Sequence, residues 1–347
     1  MKSKIFIVFM ILMASFSCQK EKISFSSSAD DVFYLENAGA AMRIEVRGNT
    51  NSKAFIVVVH GGPGATAFFY DRDYYKAHLE NNLAMVFWDQ RNAGASQGNS
   101  NGNNLHLGQV VEDLKKVIEL LRYRYGQDIR VYLLGHSWGG LVTSAFLTKD
   151  TYQPMVRGWI CADGSHNYPL NDTLTREKLL NFGQVQIAMN KNKESWKEIV
   201  NYCNEHTGGF SFDESMQLED YATNAEALID SARQVSISTY ITNYLIQNQF
   251  PLTSILVNYL YSASAPINEE ISTANYSPQM YKITVPVLLL WGKYDFICPE
   301  GLADDIYNRI GSAVKKKVVS PISGHNMMLV DKKLFCNEVA NFVEQNP

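Results

Sequence analysis

Ser137 stands in Gly135-His136-Ser137-Trp138-Gly139, between an apolar run at Arg130–Leu134 and another that starts at Leu141. A serine hydroxyl attacks a carbonyl carbon only when it is lifted clear of its own backbone. A sharp strand-to-helix turn flanked by glycines does that, and aims the first N–H groups of the helix at the oxyanion that forms. A tight turn around an inert serine would be spelled the same way, so the partners decide. A serine nucleophile needs a base, and the base needs an acid to orient it. Asp295, in Gly292-Lys293-Tyr294-Asp295, and His325, in Ser323-Gly324-His325-Asn326, each come just after a run that reads as a strand. Asp295 alone could be a helix-start residue, and His325 alone a loop histidine. Together the three predict that Ser137 attacks, His325 takes and returns the proton, and Asp295 holds the useful tautomer.

An oxyanion needs donors. His60-Gly61-Gly62-Pro63-Gly64 follows the β-branched run Ala54–Val59, where a glycine-rich loop can turn a backbone N–H into the site. The expected oxyanion hole is the N–H groups of Gly62 and Trp138, with Gly61 nearby. His60 itself reads either as a base or as a residue that holds this loop by hydrogen bonds. Cys161, Cys203, Cys298 and Cys336 are scattered, with no paired spacing and no histidine cluster, so no metal site is expected. No organic cofactor is implied. Buried free thiols are expected, with Cys298–Cys336 the one pair worth checking.

These residues need a frame. Ala54–Val59, Ala84–Trp88, Arg130–Leu134, Gly158–Ala162, Val285–Trp291 and Lys316–Val319 read as strands, the first two apolar enough to be buried on both faces. Leu105–Tyr125, Leu141–Thr148, Gly301–Ile310 and Asp331–Glu344 read as helices between and after them. Such alternation implies a parallel sheet covered by helices. From Ser165 to about Pro278 it stops, and Leu174–Met189, Glu194–His206 and Ser231–Gln247 read as helices of an inserted lid.

On three motifs the chain resembles an α/β-hydrolase, and within that fold the prolyl iminopeptidase-like branch. They are His60–Gly64, Trp88-Asp89-Gln90-Arg91-Asn92-Ala93-Gly94-Ala95-Ser96, and the turn holding Ser137-Trp138. The chain order Ser137, Asp295, His325 is that of the fold. The resemblance implies a mostly parallel central sheet flanked by helices, with a helical cap between its two halves: core at 36–164 and 281–347, cap at 165–280. It departs from the branch at Asn92, where a glycine is usual, and at His136, where the branch commonly has glycine and many esterases have histidine. It implies a peptidase of short peptides or amino-acid amides with a free N-terminus, whose amine cap glutamates hold beside a tryptophan. Glu194 and Glu198, four apart with Trp196 between them, are the candidates. A small-ester hydrolase, or a silent binding protein of the same fold, stays open.

Composition narrows the rest. The chain has 347 residues, 46% apolar and 19% charged, with a net charge of −4. That is ordinary globular composition, and the only lysine cluster, Lys315–Lys317, fits a solvated strand edge, which argues against nucleic acid. The segment 165–280 carries 13 acidic residues, among them Glu219, against six basic ones, an acidic lid that would favour amine-bearing substrates. Ordinary charged helix faces would give the same count. At the N-terminus, Lys2 and Lys4 precede the apolar run Ile5–Ala14 and then Cys18. The run has signal-peptide length and is too short to span a bilayer. A lipoprotein signal over 1–18 is expected, with Cys18 lipidated as the membrane anchor and 19–35 as a tether; the alternative is a plain secretory signal with Cys18 incidental.

Overall fold

The computed structural model describes residues 29–69, 72–98, 104–229 and 267–347. The expected signal segment with Cys18 and the expected helix at 231–247 lie outside the described residues. Nine strands form one sheet in the order β1-β2-β4-β3-β6-β7-β8-β9, with the two-residue β5 (Gln97–Gly98) beside β2. The strands β3 (Ala54–Val59), β4 (Ala84–Trp88), β6 (Arg130–His136), β7 (Gly158–Ala162), β8 (Val287–Gly292) and β9 (Lys315–Ser320) pair in parallel.

Alternation along these strands builds two cores. Phe55, Val57 and Val59 face one side of the sheet, beneath α1 (Leu107–Tyr125), α2 (Trp138–Leu147) and α7 (Gly301–Arg309). Ile56 and Val58 face the other side, beneath α8 (Lys332–Gln345). Burial on both faces is why these strands read as continuous apolar runs. The same geometry settles the cysteine question. Cys298 lies in the first core and Cys336 in the second, on opposite faces of the sheet, and all four described cysteines are buried free thiols. At the far edge, Lys317 on β9 pairs with Glu300 at 2.9 Å and Asp304 at 2.6 Å, the expected lysine-decorated strand edge.

The N-terminal boundary needs correction. Residues from Ala29 onward are not tether: β1 (Ala29–Asn37) and β2 (Ala40–Gly48) form an antiparallel hairpin on the sheet edge. Its turn, Ala38-Gly39, has positive φ at both positions, the geometry that suits a two-residue hairpin. It carries Ala where Asn or Asp would have announced it, and β1 is half exposed, with an apolar run of only four residues at 32–35.

In the cap, α3 (Tyr168–Ala188), α4 (Lys193–Glu205) and α5 (Phe212–Ala227) pack around Leu179, Trp196, Ile199, Cys203, Leu218 and Ala222. Phe296, from the loop after β8, inserts into this cluster and joins cap to core. Helix α6 (Ile267–Ser272) completes the described cap. The helix α5 was not anticipated, although Ser211-Phe212-Asp213-Glu214 forms a reciprocal capping box, a signature visible in sequence.

Candidate active site

β6 ends at His136 and α2 begins at Trp138, so Ser137 alone makes the turn. Its φ of 54° and ψ of −124° lie outside the regions an L-residue ordinarily occupies. Such a conformation costs about 1–3 kcal/mol and persists only where the surroundings enforce it. The glycines do the enforcing by letting backbones touch. A Cβ on Gly139 would lie 1.8 Å from the Val59 carbonyl oxygen, and one on Gly135 would lie 2.5 Å from Thr143 Oγ1. Either would push α2 off the sheet and carry Ser137 away.

The loop after β3 closes on the same serine. A Cβ on Gly61 would come within 2.9 Å of Ser137 Cβ and 3.4 Å of its Oγ, so only glycine fits there. Gly62 has φ +119°, again a glycine conformation. Trp138 opens α2, so its N–H has no carbonyl within the helix to meet. The structure thus sets Gly61 against Ser137, with Gly62 next to it in the loop and Trp138 at the start of α2.

His60 holds this loop in place. Its Nδ1 meets the Gly61 carbonyl at 2.7 Å and its Nε2 accepts the Gln90 N–H at 3.1 Å. Burial lowers it to about 4, so the ring is neutral. Gln90 completes a bridge, donating to the His60 carbonyl and accepting from Trp138 Nε1, both at 2.9 Å. Asp89 is bound to its own surroundings, accepting from Thr66 Oγ1, Ala67 N and Ala95 N at 2.8 Å each. Arg91 makes a two-point ion pair with Asp113 on α1, at 2.6 and 2.8 Å. The segment Asp89–Ser96 is therefore scaffolding under the glycine-rich loop after β3. Asn92 takes φ 52°, a left-handed conformation that asparagine tolerates nearly as well as the glycine usual there.

Asp295 and His325 meet on the loops after β8 and β9. Asp295 Oδ2 lies 3.0 Å from His325 Nδ1, while its Oδ1 accepts from Ile297 N at 2.9 Å and Cys298 N at 2.7 Å. Burial by itself would lower the His325 pKa, but the carboxylates of Asp295, Asp163 and Glu226 outweigh it and raise the ring to about 9. The ring of His136, next to Ser137, sits 4.9 Å from that of His325, and its Nε2 meets the His325 carbonyl at 3.0 Å. Burial first, then His325, push His136 down to about 3, so it is neutral and donates through Nε2.

Two acidic neighbours escaped the sequence reading. Asp163 follows β7 and accepts from Gly292 N at 2.8 Å and Met327 N at 3.3 Å. Burial, then Asp295, push its carboxyl well up. Its place at the end of a parallel strand was a visible signal. Glu226, on the unanticipated α5, accepts from Phe296 N and His325 N at 3.2 Å each.

A cavity of about 430 Å³ lies between core and cap. Gly62 and Pro63, from the loop after β3, line it on one side; Asp172 and Thr175 on α3, Glu219 on α5 and Ile297 are among its other walls. Asp172 is buried and accepts from Ser215 Oγ at 2.8 Å. Burial raises its carboxyl to about 6. Glu219 keeps solvent contact through the cavity, but protein surrounds it on most sides, which raises it also. Glu194 and Glu198 do not line this cavity. Glu194 is 81% exposed and bonded to Lys197 at 2.8 Å; Glu198 is exposed and accepts from Tyr221 at 3.2 Å. The reason is helical: Trp196 fills the cap core, and residues two away from it point about 200° round the helix.

With this geometry in view, the comparisons agree. The serine aminopeptidase S33 family model matches residues 50–194. The proline iminopeptidase of Saccharolobus solfataricus is 24% identical over 291 residues, 84% of each chain. That of Thermoplasma volcanium is 23% identical over 327 residues, 90% of this chain and 96% of its own. Among solved structures, the proline iminopeptidase from Mycobacterium smegmatis matches with a TM-score of 0.65 at 15% identity, over 91% of this chain and 98% of that one. An esterase from Exiguobacterium antarcticum matches at 0.57 and 18% identity, over 90% and 99%. The chain has the α/β-hydrolase fold, resembles the proline iminopeptidases, and is a hydrolase.

Proposed function

We propose that this hydrolase is a serine aminopeptidase acting on short peptides or amino-acid amides with a free N-terminus, and that it is exported. In this reading Ser137 attacks the carbonyl carbon and His325 takes its proton, then returns it to the leaving amine. Asp295 holds the imidazole, and the N–H groups of Gly62 and Trp138 stabilise the oxyanion. Water then hydrolyses the acyl-enzyme, with His325 again as base. The observation that carries the reading is the pairing of Asp295 with His325 at 3.0 Å on loops that converge beside a strained Ser137.

The cavity supports this substrate class. Gly62 and Pro63 of the loop after β3 line it together with Asp172 and Glu219, so a substrate seated there with its carbonyl turned toward Ser137 would offer its ammonium to one of these carboxylates. In this reading Asp172 and Glu219, instead of Glu194 and Glu198, take the amine-binding role. The volume suits a small ligand. Export rests on the N-terminal pattern alone, with Cys18 as the lipidated residue.

Profiling on aminoacyl arylamides beside short acyl esters tests the substrate class; faster turnover of blocked esters than of any free-amine amide would move the assignment to an esterase. A fluorophosphonate probe should label Ser137, and Ser137→Ala should lower kcat by about 10⁶-fold, as in other serine hydrolases, while the protein stays folded. Labelling at a different serine would sink the assignment of the nucleophile.

A further inference from the structure

Two charged side chains of the cap reach the loops that carry Asp295 and His325. Lys178 on α3 donates to the carbonyls of Lys293 at 2.9 Å and Asp295 at 2.7 Å, its ammonium 5.0 Å from the Phe296 ring centre. Glu226, in the last turn of α5, accepts from Phe296 N at 3.2 Å and from His325 N at 3.2 and 3.3 Å. The Asp295 loop is thus held through its carbonyls by one cap helix and through an N–H by another. Gly324 makes room for the second contact, since a Cβ there would lie 2.2 Å from Glu226 Oε2.

His325 is consequently fixed at three points. The cap holds its N–H, His136 of the serine turn holds its carbonyl, and Asp295 holds its ring. Glu226 occupies a costly position for a carboxylate: burial and then Asp295 raise it to about 7, and a helix C-terminus disfavours negative charge. Among the described residues, Asp295, His325 and, across the Asp295 loop, Lys178 face it.

We propose that Glu226, assisted by Lys178, is a positioning residue for proton transfer, so that the cap is part of the catalytic apparatus as well as a wall of the binding cavity. The proposal rests on the Ser137–His325–Asp295 reading. Glu226 fixes where the imidazole stands, and its charge favours the imidazolium that forms when Ser137 gives up its proton.

The test compares wild type, Glu226→Ala, Glu226→Gln and Lys178→Met, with Glu194→Ala as a surface control. Fluorophosphonate labelling rate and turnover are followed from about pH 5 to pH 10. Glu226→Ala should slow both by about 100-fold, in kcat more than in KM, as a displaced catalytic group does. Glu226→Gln keeps an oxygen for both N–H groups and should recover to within about tenfold of wild type at its optimum. Its acid limb should move to lower pH, because one negative charge fewer faces His325. Lys178→Met should slow labelling, and the surface control should match wild type. Wild-type rates in Glu226→Ala would overturn the proposal. So would a Glu226→Gln enzyme with an unmoved pH profile, which also decides the matter if the alanine variant does not fold. Undiminished labelling in His325→Ala would instead overturn the triad reading itself.

Discussion

His325 is surrounded by carboxylates, and that fixes how it should behave. A base must be neutral to take a proton from Ser137, yet burial loses to Asp295, Asp163 and Glu226, which raise the ring to about 9. The acid limb of kcat/KM, which reports the free enzyme, should therefore lie well above the ordinary 6.5 and approach 9. A limb below pH 6.5 would contradict the charge balance around the ring. Removing the largest of these charges tests the pairing directly. Asp295→Asn should cost about 10⁴-fold by presenting the wrong tautomer, if the site follows the serine-protease pattern. The residual activity should titrate at lower pH. A loss below tenfold would mean that a second carboxylate orients the ring. Asp163 is placed for that role, bonded to Gly292 and Met327 beside both loops. Asp89, which its motif alone would nominate, is tied to Thr66, Ala67 and Ala95 and serves the oxyanion loop.

At the scale of elements, α3 and α5 decide which acidic residues a substrate meets. The negative charge of the cap is spread over many helix faces, but Asp172 and Glu219 face the cavity. A charge-assisted hydrogen bond to a substrate ammonium contributes about 1.5–3 kcal/mol, or roughly 10- to 150-fold in kcat/KM. Asp172→Asn or Glu219→Gln should lose that much on free-amine substrates and little on N-acylated ones, with Glu194→Gln and Glu198→Gln unchanged on both. Equal small effects on the two substrate types would remove the amine-binding role. Because burial raises Asp172 to about 6, its charge in the free enzyme disappears as pH falls through that value. KM for cationic substrates should rise there, which steady-state kinetics at pH 5 and 7 would reveal (both values chosen to bracket about 6).

For the whole molecule the question is where it works. Among the described residues, no helix is long and apolar enough to cross a membrane. In the exported reading, membrane attachment rests on Cys18, which lies outside the described residues. Cys18→Ser should move the protein from the membrane fraction to the soluble fraction in cell fractionation without changing its kinetics on small substrates. A Cys18→Ser protein that still sediments with membranes would require a different anchor.

The sequence by itself determined the strand–turn–helix around Ser137, the glycine-rich loop after β3 and the parallel strands of the sheet, because each depends on local physics. Gly135, Gly139 and Gly61 are needed where backbones approach, and strands buried on both faces have to be apolar at every position. Asp295 and His325 were legible as candidates because each follows a run that reads as a strand, at the end where a parallel sheet gathers its loops. The partners of those residues were not legible. Helical spacing put Glu194 and Glu198 on one face without saying whether that face turned inward, and burial of Trp196 turned it out. Asp163 and Glu226 come from a strand end and a cap helix far from His325 in sequence, and only the docking of α5 onto the core brings Glu226 to the His325 N–H. A charged side chain looks the same in sequence whether solvent or a catalytic loop receives it, and tertiary packing makes that choice.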